Sequence, residues 1–351
     1  TPSALTPPRL DPTPIFEAFR GCYATELLTA AVAHFDLFAV LAAGPLPFEE
    51  LRGRLGLAER PAVVLLTALR AMGLVEKHPD GRLGPSPLAR DHLCPGGPFN
   101  VADYIGLAAD SPGVREMVER LRTNRPAAAR DEGAAFIYRE GLDSAMEREA
   151  SARRLTLALA GRAKNVAPFL AARLDLSSAR RLLDVGGGTG IYSISCLRKE
   201  PRLRAVVWDR PEVLKVAREM ADAYGVADRL ECVAGDMFAD PVPAGADVML
   251  LSNVLHDWDV PECQALVSRC AAALPPGGRL LVHDVFLNDD LDGPLPIALY
   301  SAALFTLTEG RAYSAAEHRG WLTEAGLTPG EVTPTLIHCG VLPGYQANRL
   351  R

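Results

Sequence analysis

The sequence predicts an α/β fold, in which a C-terminal domain built on a mostly parallel sheet follows an N-terminal domain that is all-helical but for one small hairpin. Three observations carry this. From Arg180 onward, short runs rich in Leu and Val alternate with helical stretches, the pattern of a sheet covered by helices on both faces. One of those runs opens into a turn with glycine at every second position, Gly186, Gly188 and Gly190, ahead of a helix. Before residue 100, helical periodicity is followed by Val75-Glu76-Lys77, a turn at Pro79-Asp80-Gly81, and Arg82-Leu83-Gly84.

The 351 residues exceed the size at which single cores stop growing. The expected divisions are a helical domain over 1–100, a helical linker over 101–175 that helps line a substrate pocket, and the sheet domain over 176–345. Prolines 2, 7, 8, 12 and 14 crowd the first residues, so this end is expected to be an extended arm rather than a packed element. Phe16, Phe19, Tyr23, Leu27, Ala30, Ala31 and Phe35 then recur at helical spacing, which predicts one or two amphipathic helices up to Leu41. They carry more apolar surface than a lone domain hides, so a homodimer through this domain is expected. A second helix over Ala58–Met72 and the hairpin complete a winged-helix pattern. Its use on DNA is disfavoured, because that helix offers only Arg60 and Arg70 as bases. Residues 95–175 read as mainly helical, with Glu147 to Leu170 the longest helix.

Composition narrows the partners. Hydrophobic residues make up 48% and charged residues 23%, as in a globular protein with an ample core. The net charge of −6, with no long basic run, argues against nucleic acid as a partner and for a small molecule. No stretch approaches the roughly 20 apolar residues of a membrane span, and Thr1–Pro14 has no basic-then-apolar leader pattern. A cytoplasmic protein with no membrane partner is therefore expected. Seven cysteines without a Cys-x-x-Cys spacing suit neither a disulfide framework nor a zinc site, so free buried thiols and no metal are expected.

The most informative segment is Leu182-Leu183-Asp184-Val185-Gly186-Gly187-Gly188-Thr189-Gly190. Glycines let the backbone turn tightly and a ligand approach closely. A dinucleotide fingerprint would place its third glycine where Ile191 stands, and a phosphate loop would need Gly-Lys-Ser or Gly-Lys-Thr, which is absent. At the end of the second strand, Asp209 is placed to accept from both hydroxyls of a ribose. After the third come Asp236, able to accept from an adenine amine, and Met237, a soft apolar face for the ring. Together they describe an adenosine pocket without pyrophosphate recognition. His256 ends the fourth strand, beside the crevice where ligands of such sheets bind, and imidazole titrates near working pH, which makes it the candidate general base.

Asp184–Gly190, Trp208-Asp209-Arg210-Pro211-Glu212-Val213, Gly235-Asp236-Met237-Phe238, Leu255-His256-Asp257-Trp258 and Leu274-Pro275-Pro276-Gly277-Gly278 together resemble the caffeate and acetylserotonin O-methyltransferase family, including its bacterial natural-product members. The similarity covers almost the whole chain, since those enzymes also begin with a winged-helix dimerisation domain. The resemblance implies a Rossmann-like domain that binds S-adenosyl-L-methionine, releases S-adenosyl-L-homocysteine and methylates a hydroxyl of a small aromatic or polyketide-like molecule. Gly186 and its loop would then hold the methionine part, Asp209 the ribose, and Asp236 with Met237 the adenine, with Asp184, Gly188 and Arg210 also expected in the cofactor site. At Ser252 the family often has Lys, which helps hold the cofactor; Ser252 keeps one hydrogen bond and no charge. Asn253 and Trp258 are expected in the substrate pocket.

The family places a carboxylate at the end of the fifth strand to orient the histidine. Asp284 matches it, shorter than the usual Glu and expected to reach less far. A second family carboxylate falls at Ala312, so Glu309 is expected to serve from a different place. His34, His78, His92, His283, His318 and His338 are assigned packing or surface roles, and Ser195, Ser252 and Ser301 lack a nucleophile-elbow context. Three alternatives stay open: C- or N-methylation, a non-methylating reaction on the bound cofactor, and a winged-helix DNA-binding regulator.

Overall fold

The computed structural model describes residues 5–97, 99–125 and 149–348, with side chains from residue 153 onward in the last stretch. The expected helix start at Glu147 and the stretch 126–148 of the pocket-lining segment lie outside the described residues. The chain forms two compact units. One joins Ile15–Ala135 with Leu287–Ala312, and the other joins Thr1–Pro14, Phe136–Phe286 and Tyr313–Arg351.

In the helical unit, three helices replace the expected one or two: Thr13–Arg20, Cys22–Ala33 and Leu37–Ala42. Gly21 interrupts the first pair, and Asp36, at φ 48°, stops the chain before the third, since Asp tolerates the left-handed region that ends a helix. The helix Phe48–Leu55 ends on Gly56 at φ 66°, a left-handed helix stop. Glu59–Ala71 follows, then the hairpin of Val75–Lys77 with Leu83–Pro85, as expected. Pro87–His92 starts on the Ser86 hydroxyl, which accepts from the Ala89 N–H.

Ten consecutive residues of Glu59–Ala71, Arg60 to Leu69, are buried. Arg60 donates to Asn124 Oδ1 and to the carbonyls of Thr308 and Gly310, and its guanidinium lies over the Phe305 ring. The helix that a DNA-reading winged helix would lay in a groove is thus an interior element here. Leu295–Leu307, apolar on every side, packs against it and falls in this unit although it follows the sheet strands in the chain.

The sheet unit holds β1 (Arg181–Val185), β2 (Arg204–Asp209), β3 (Leu230–Ala234), β4 (Val248–Ser252) and β5 (Arg279–Leu287), the five strands the sequence predicts. Across the sheet they run β3-β2-β1-β4-β5, all parallel. A sixth strand not anticipated from the sequence, β6 (Cys339–Tyr345), pairs antiparallel with β5. Glycine packs closely in it at Gly340 and Gly344, where a Cβ would come within 2.7 Å of the Val332 and Leu322 side chains. Two-residue strands at Tyr313–Ser314, Thr328–Pro329 and Thr333–Pro334 finish the margins. The chain leaves β1 toward β2 on one side and later returns to place β4 on the other, which makes the carboxyl end of β1 the switch point where a crevice forms.

The helix Glu149–Arg173 carries Pro168 inside it and belongs to this unit. From residue 5 to Pro12 the arm forms no helix or strand, and Leu5 to Arg9 line a cleft with Gly161, Lys164, Asn165 and Tyr224, so this stretch is packed rather than loose. Among the described residues no helix is long and apolar enough to cross a membrane. The core of this unit gathers Leu183, Val206, Trp208, Met249, Leu251 and their neighbours. Trp208 is its largest fully buried side chain, so Trp208→Ala should lower the unfolding free energy by about 3–5 kcal/mol. Urea unfolding followed by circular dichroism checks this; a change below about 1 kcal/mol would place Trp208 outside the load on the fold.

Candidate active site

At the end of β1 the backbone takes positive φ at Gly186 (63°), Gly188 (58°) and Gly190 (69°), values open to glycine at little cost. Gly187 lacks a side chain for another reason, since a Cβ there would sit 2.6 Å from the Asp184 carboxyl carbon. The turn is tied to the next strand: Asp209 Oδ2 accepts from the Gly188 N–H at 2.8 Å and Oδ1 from the Arg210 N–H at 2.7 Å. Asp184 is fully buried. Its Oδ2 accepts from the Ser193 hydroxyl at 2.7 Å, while Oδ1 has no partner among the described residues. Burial above all, opposed by Ser193 and aided by Asp209, pushes its pKa up to about 7.

Met237 comes to the same turn, its Sδ 3.8 Å from the Cβ position of Gly186, and its carbonyl accepts from Arg269 Nε. Asp236 is exposed and folds back on its own loop through Oδ1, which accepts from the Phe238 N–H. The structure therefore gathers Asp184, Gly186, Gly188, Asp209, Arg210 and Met237 around one turn, with Asp236 on the loop that carries Met237.

The second cluster follows from strand register. β4 and β5 pair in parallel with Ser252 opposite His283, and the chain then makes a single 3-10 turn over Leu255–Asp257. That turn swings His256 back over Asp284, the residue after His283. His256 Nδ1 donates to Asp284 Oδ1 at 2.6 Å, so the shorter carboxylate reaches the ring fully, contrary to the expectation from its length. The 3-10 turn supplies the reach that a longer side chain would otherwise give. Because an ionised carboxylate only accepts, Nδ1 carries the proton and Nε2 is the basic nitrogen.

Both groups are buried, at 5% and 1% exposure, and each shifts the other. Burial opposes charge on His256, but the carboxylates of Asp284 and Asp257 outweigh it and raise the imidazole pKa. Burial likewise opposes charge on Asp284, and His256 more than compensates, holding that carboxyl below its usual range. Asp257, which the sequence reading left without a role, puts Oδ1 3.7 Å from His256 Nε2, beyond a hydrogen bond yet within electrostatic reach. Burial pushes Asp257 up to about 6.

The Ser252 hydroxyl already has partners within the protein. Its Oγ lies 2.7 Å from His283 Nδ1 and accepts from Asn253 Nδ2. The His283 partner lies 31 residues away and meets Ser252 through strand register. Asn253, at φ 55°, also donates to the Tyr192 hydroxyl and accepts from Arg162 Nη1. Trp258 is buried in the sheet core, edge-on to Phe238, and its carbonyl accepts from the Tyr313 hydroxyl. Glu309 is half-buried in the helical unit, just after Leu295–Leu307; Ala312 is fully buried and donates its N–H to Ser301 Oγ. Among the described residues no group of three or more His, Cys, Asp or Glu side chains is placed to hold a metal ion.

Residues 131–328 match the O-methyltransferase domain model. The chain belongs to the O-methyltransferase family. It is 38% identical over 326 residues, 92% of each chain, to the 3-hydroxy-5-methyl-1-naphthoate 3-O-methyltransferase of Streptomyces sahachiroi. It is 33% identical over 325 residues to the tetracenomycin polyketide synthesis 8-O-methyl transferase of Streptomyces glaucescens, covering 92% of this chain and 93% of that one. Among solved structures, an O-methyltransferase family 2 protein from Planctomyces limnophilus DSM 3776, in complex with apigenin, is 49% identical with a TM-score of 0.88 and 98% coverage of both chains. The chain is thus an S-adenosylmethionine-dependent O-methyltransferase by family, and the clusters above are the parts of this O-methyltransferase that its strand ends bring together.

The His256–Asp284 pair generates a titration that can be read directly. The His256 ring should deprotonate above the ordinary value of about 6.5. Asp284→Asn removes the carboxylate that favours the charged ring and leaves burial dominant, so the midpoint should fall, toward or below that value. NMR of the histidine ring across pH 5–9 checks both; an unmoved midpoint in the variant would contradict the coupling.

Proposed function

We propose that this O-methyltransferase acts on a phenolic hydroxyl of a small aromatic or polyketide-like molecule, with His256 as general base. The observation that carries the reading is the buried His256–Asp284 pair at the carboxyl end of β4. Asp284 fixes the Nδ1–H tautomer and orientation of the ring, and its charge stabilises the imidazolium that forms as Nε2 accepts the hydroxyl proton. Asp257, beside Nε2, adds a second acid whose ionisation strengthens that basicity. The naphthoate named for the Streptomyces sahachiroi relative and the apigenin bound by the Planctomyces protein both carry hydroxyls on aromatic rings, which supports a phenol as acceptor here.

The glycine turn and its acids fit S-adenosyl-L-methionine. The buried Asp184 Oδ1, without a partner among the described residues, suits an ammonium group, whose charge would restore the ionised carboxylate that burial disfavours. Each Asp209 oxygen accepts one backbone N–H and keeps a lone pair for a ribose hydroxyl. Met237 presents its thioether beside Gly186, as an adenine-flanking residue would. When bound, this cofactor supplies an electrophilic methyl on a sulfonium; the chain's part is to position the acceptor, exclude water and hold the proton at Nε2.

His256→Ala should lower turnover by about 10²–10⁴-fold while leaving S-adenosyl-L-homocysteine affinity nearly unchanged. Steady-state rates with a panel of phenols, alongside calorimetry, test it; full turnover in the variant would remove His256 as the base. We also propose a homodimer through the N-terminal helices, supported by Ile15 and Phe19, which are 71% and 79% exposed on the first helix. Light scattering should then give twice the 37.6 kDa chain mass, and a monomer at every concentration would contradict it.

A further inference from the structure

The strand end where the family resemblance puts a lysine has no charge of its own here. Ser252 Oγ is engaged by His283, and His283 Nε2 lies 3.1 Å from Thr335 Oγ1. Burial and the nearby Arg162 push the His283 pKa down to about 3, so this pair is neutral at working pH. A positive charge reaches the same place from another element. Arg162, on the helix Glu149–Arg173, donates Nη1–H to Asn253 Oδ1 at 2.9 Å and holds Nη2 2.8 Å from Cys339 Sγ. These contacts fix the guanidinium beside the residue that follows Ser252 and beside the first residue of β6. Its field is felt by the surrounding groups: it opposes protonation of His256 as well as of His283.

Strand order says which end of an adenosylated amino acid belongs here. Asp209 ends β2 and Asp236 follows β3, both on one side of β1, while β4 lies on the other. With the adenosine over β2 and β3, the amino-acid tail falls to β1 and β4. That tail is a zwitterion. Asp184 answers its ammonium, and its carboxylate calls for a donor of permanent charge with a planar fork, which arginine supplies.

We propose that Arg162 binds the carboxylate of the cofactor's methionine part, taking the place of the lysine absent at position 252. This rests on the S-adenosylmethionine reading above. The test is calorimetry on the full chain with three probes: S-adenosylmethionine, its decarboxylated form, which keeps the ammonium, and 5′-methylthioadenosine, which lacks both groups. The wild-type chain should prefer S-adenosylmethionine over the decarboxylated form by about 10- to 100-fold, the range expected of charge-assisted hydrogen bonds. Arg162→Met should abolish that preference and leave 5′-methylthioadenosine affinity unchanged, and Arg162→Lys should restore part of it.

Equal wild-type affinity for the first two probes would overturn the proposal without recourse to any variant. So would an Arg162→Met chain that weakens all three probes alike, since the arginine would then only anchor Asn253 and Cys339. A variant that keeps the preference and raises only the KM of the phenol would assign the charge to the acceptor instead. Failure of all three probes to bind the wild-type chain would sink the cofactor reading itself, a different outcome from any of these.

Discussion

A buried carboxylate must stay ionised for the His256–Asp284 pair to hold its shape. Asp284 loses nearly all contact with water in β5, which alone would favour its neutral form. What keeps it charged is the imidazole 2.6 Å away, and what keeps that imidazole ready to take charge is Asp284. Neither group would sit well in this interior without the other, because an ion taken out of water needs a partner of excellent geometry. The parallel register of β4 and β5 and the 3-10 turn after β4 provide that geometry. Ring tautomer, the basicity of Nε2 and the influence of Asp257 all descend from this one contact.

The other acids of the crevice obey the opposite balance. Asp184 and Asp257 have no equally close cation among the described residues, so burial prevails and both titrate well above an ordinary aspartate. The same residue type thus stands in two states within one set of strand ends, set by what lies within a few ångströms. A carboxyl poised near neutrality beside a glycine turn responds strongly to an incoming positive group, whereas one locked to an imidazole does not. The two clusters thus differ in how their acids hold charge, one at β1 and one at β4 and β5.

What the sequence disclosed and what it hid divide along physical lines. The five parallel strands were legible because Leu- and Val-rich runs alternate with helices, and the glycine turn because positive φ at Gly186, Gly188 and Gly190 leaves a mark in residue type. His256 and Asp284 were legible through motif position, but their contact was not, since reach depends on a turn whose form no single residue announces. The pairing of Ser252 with His283 was hidden for a related reason, since only register brings the two opposite. Arg162 left no signal, being one of several arginines along a helix whose periodicity does not say which one meets Asn253. β6 escaped because Gly340, Pro343 and Gly344 lower strand propensity, even though Gly340 and Gly344 lie close against Val332 and Leu322. The break at Asp36 was hidden by apolar spacing that runs on through it.

The path of the chain through its two units has a bearing on how such a protein can change over generations. The backbone passes from one unit to the other four times, with the arm ahead of Ile15 and the excursion Leu287–Ala312 each belonging to the unit that their sequence neighbours do not. Neither unit is a contiguous stretch of gene. A single recombination event cannot exchange one for a foreign equivalent, as it can in proteins whose domains are strung end to end, and a duplicated copy cannot shed one unit and keep the other whole.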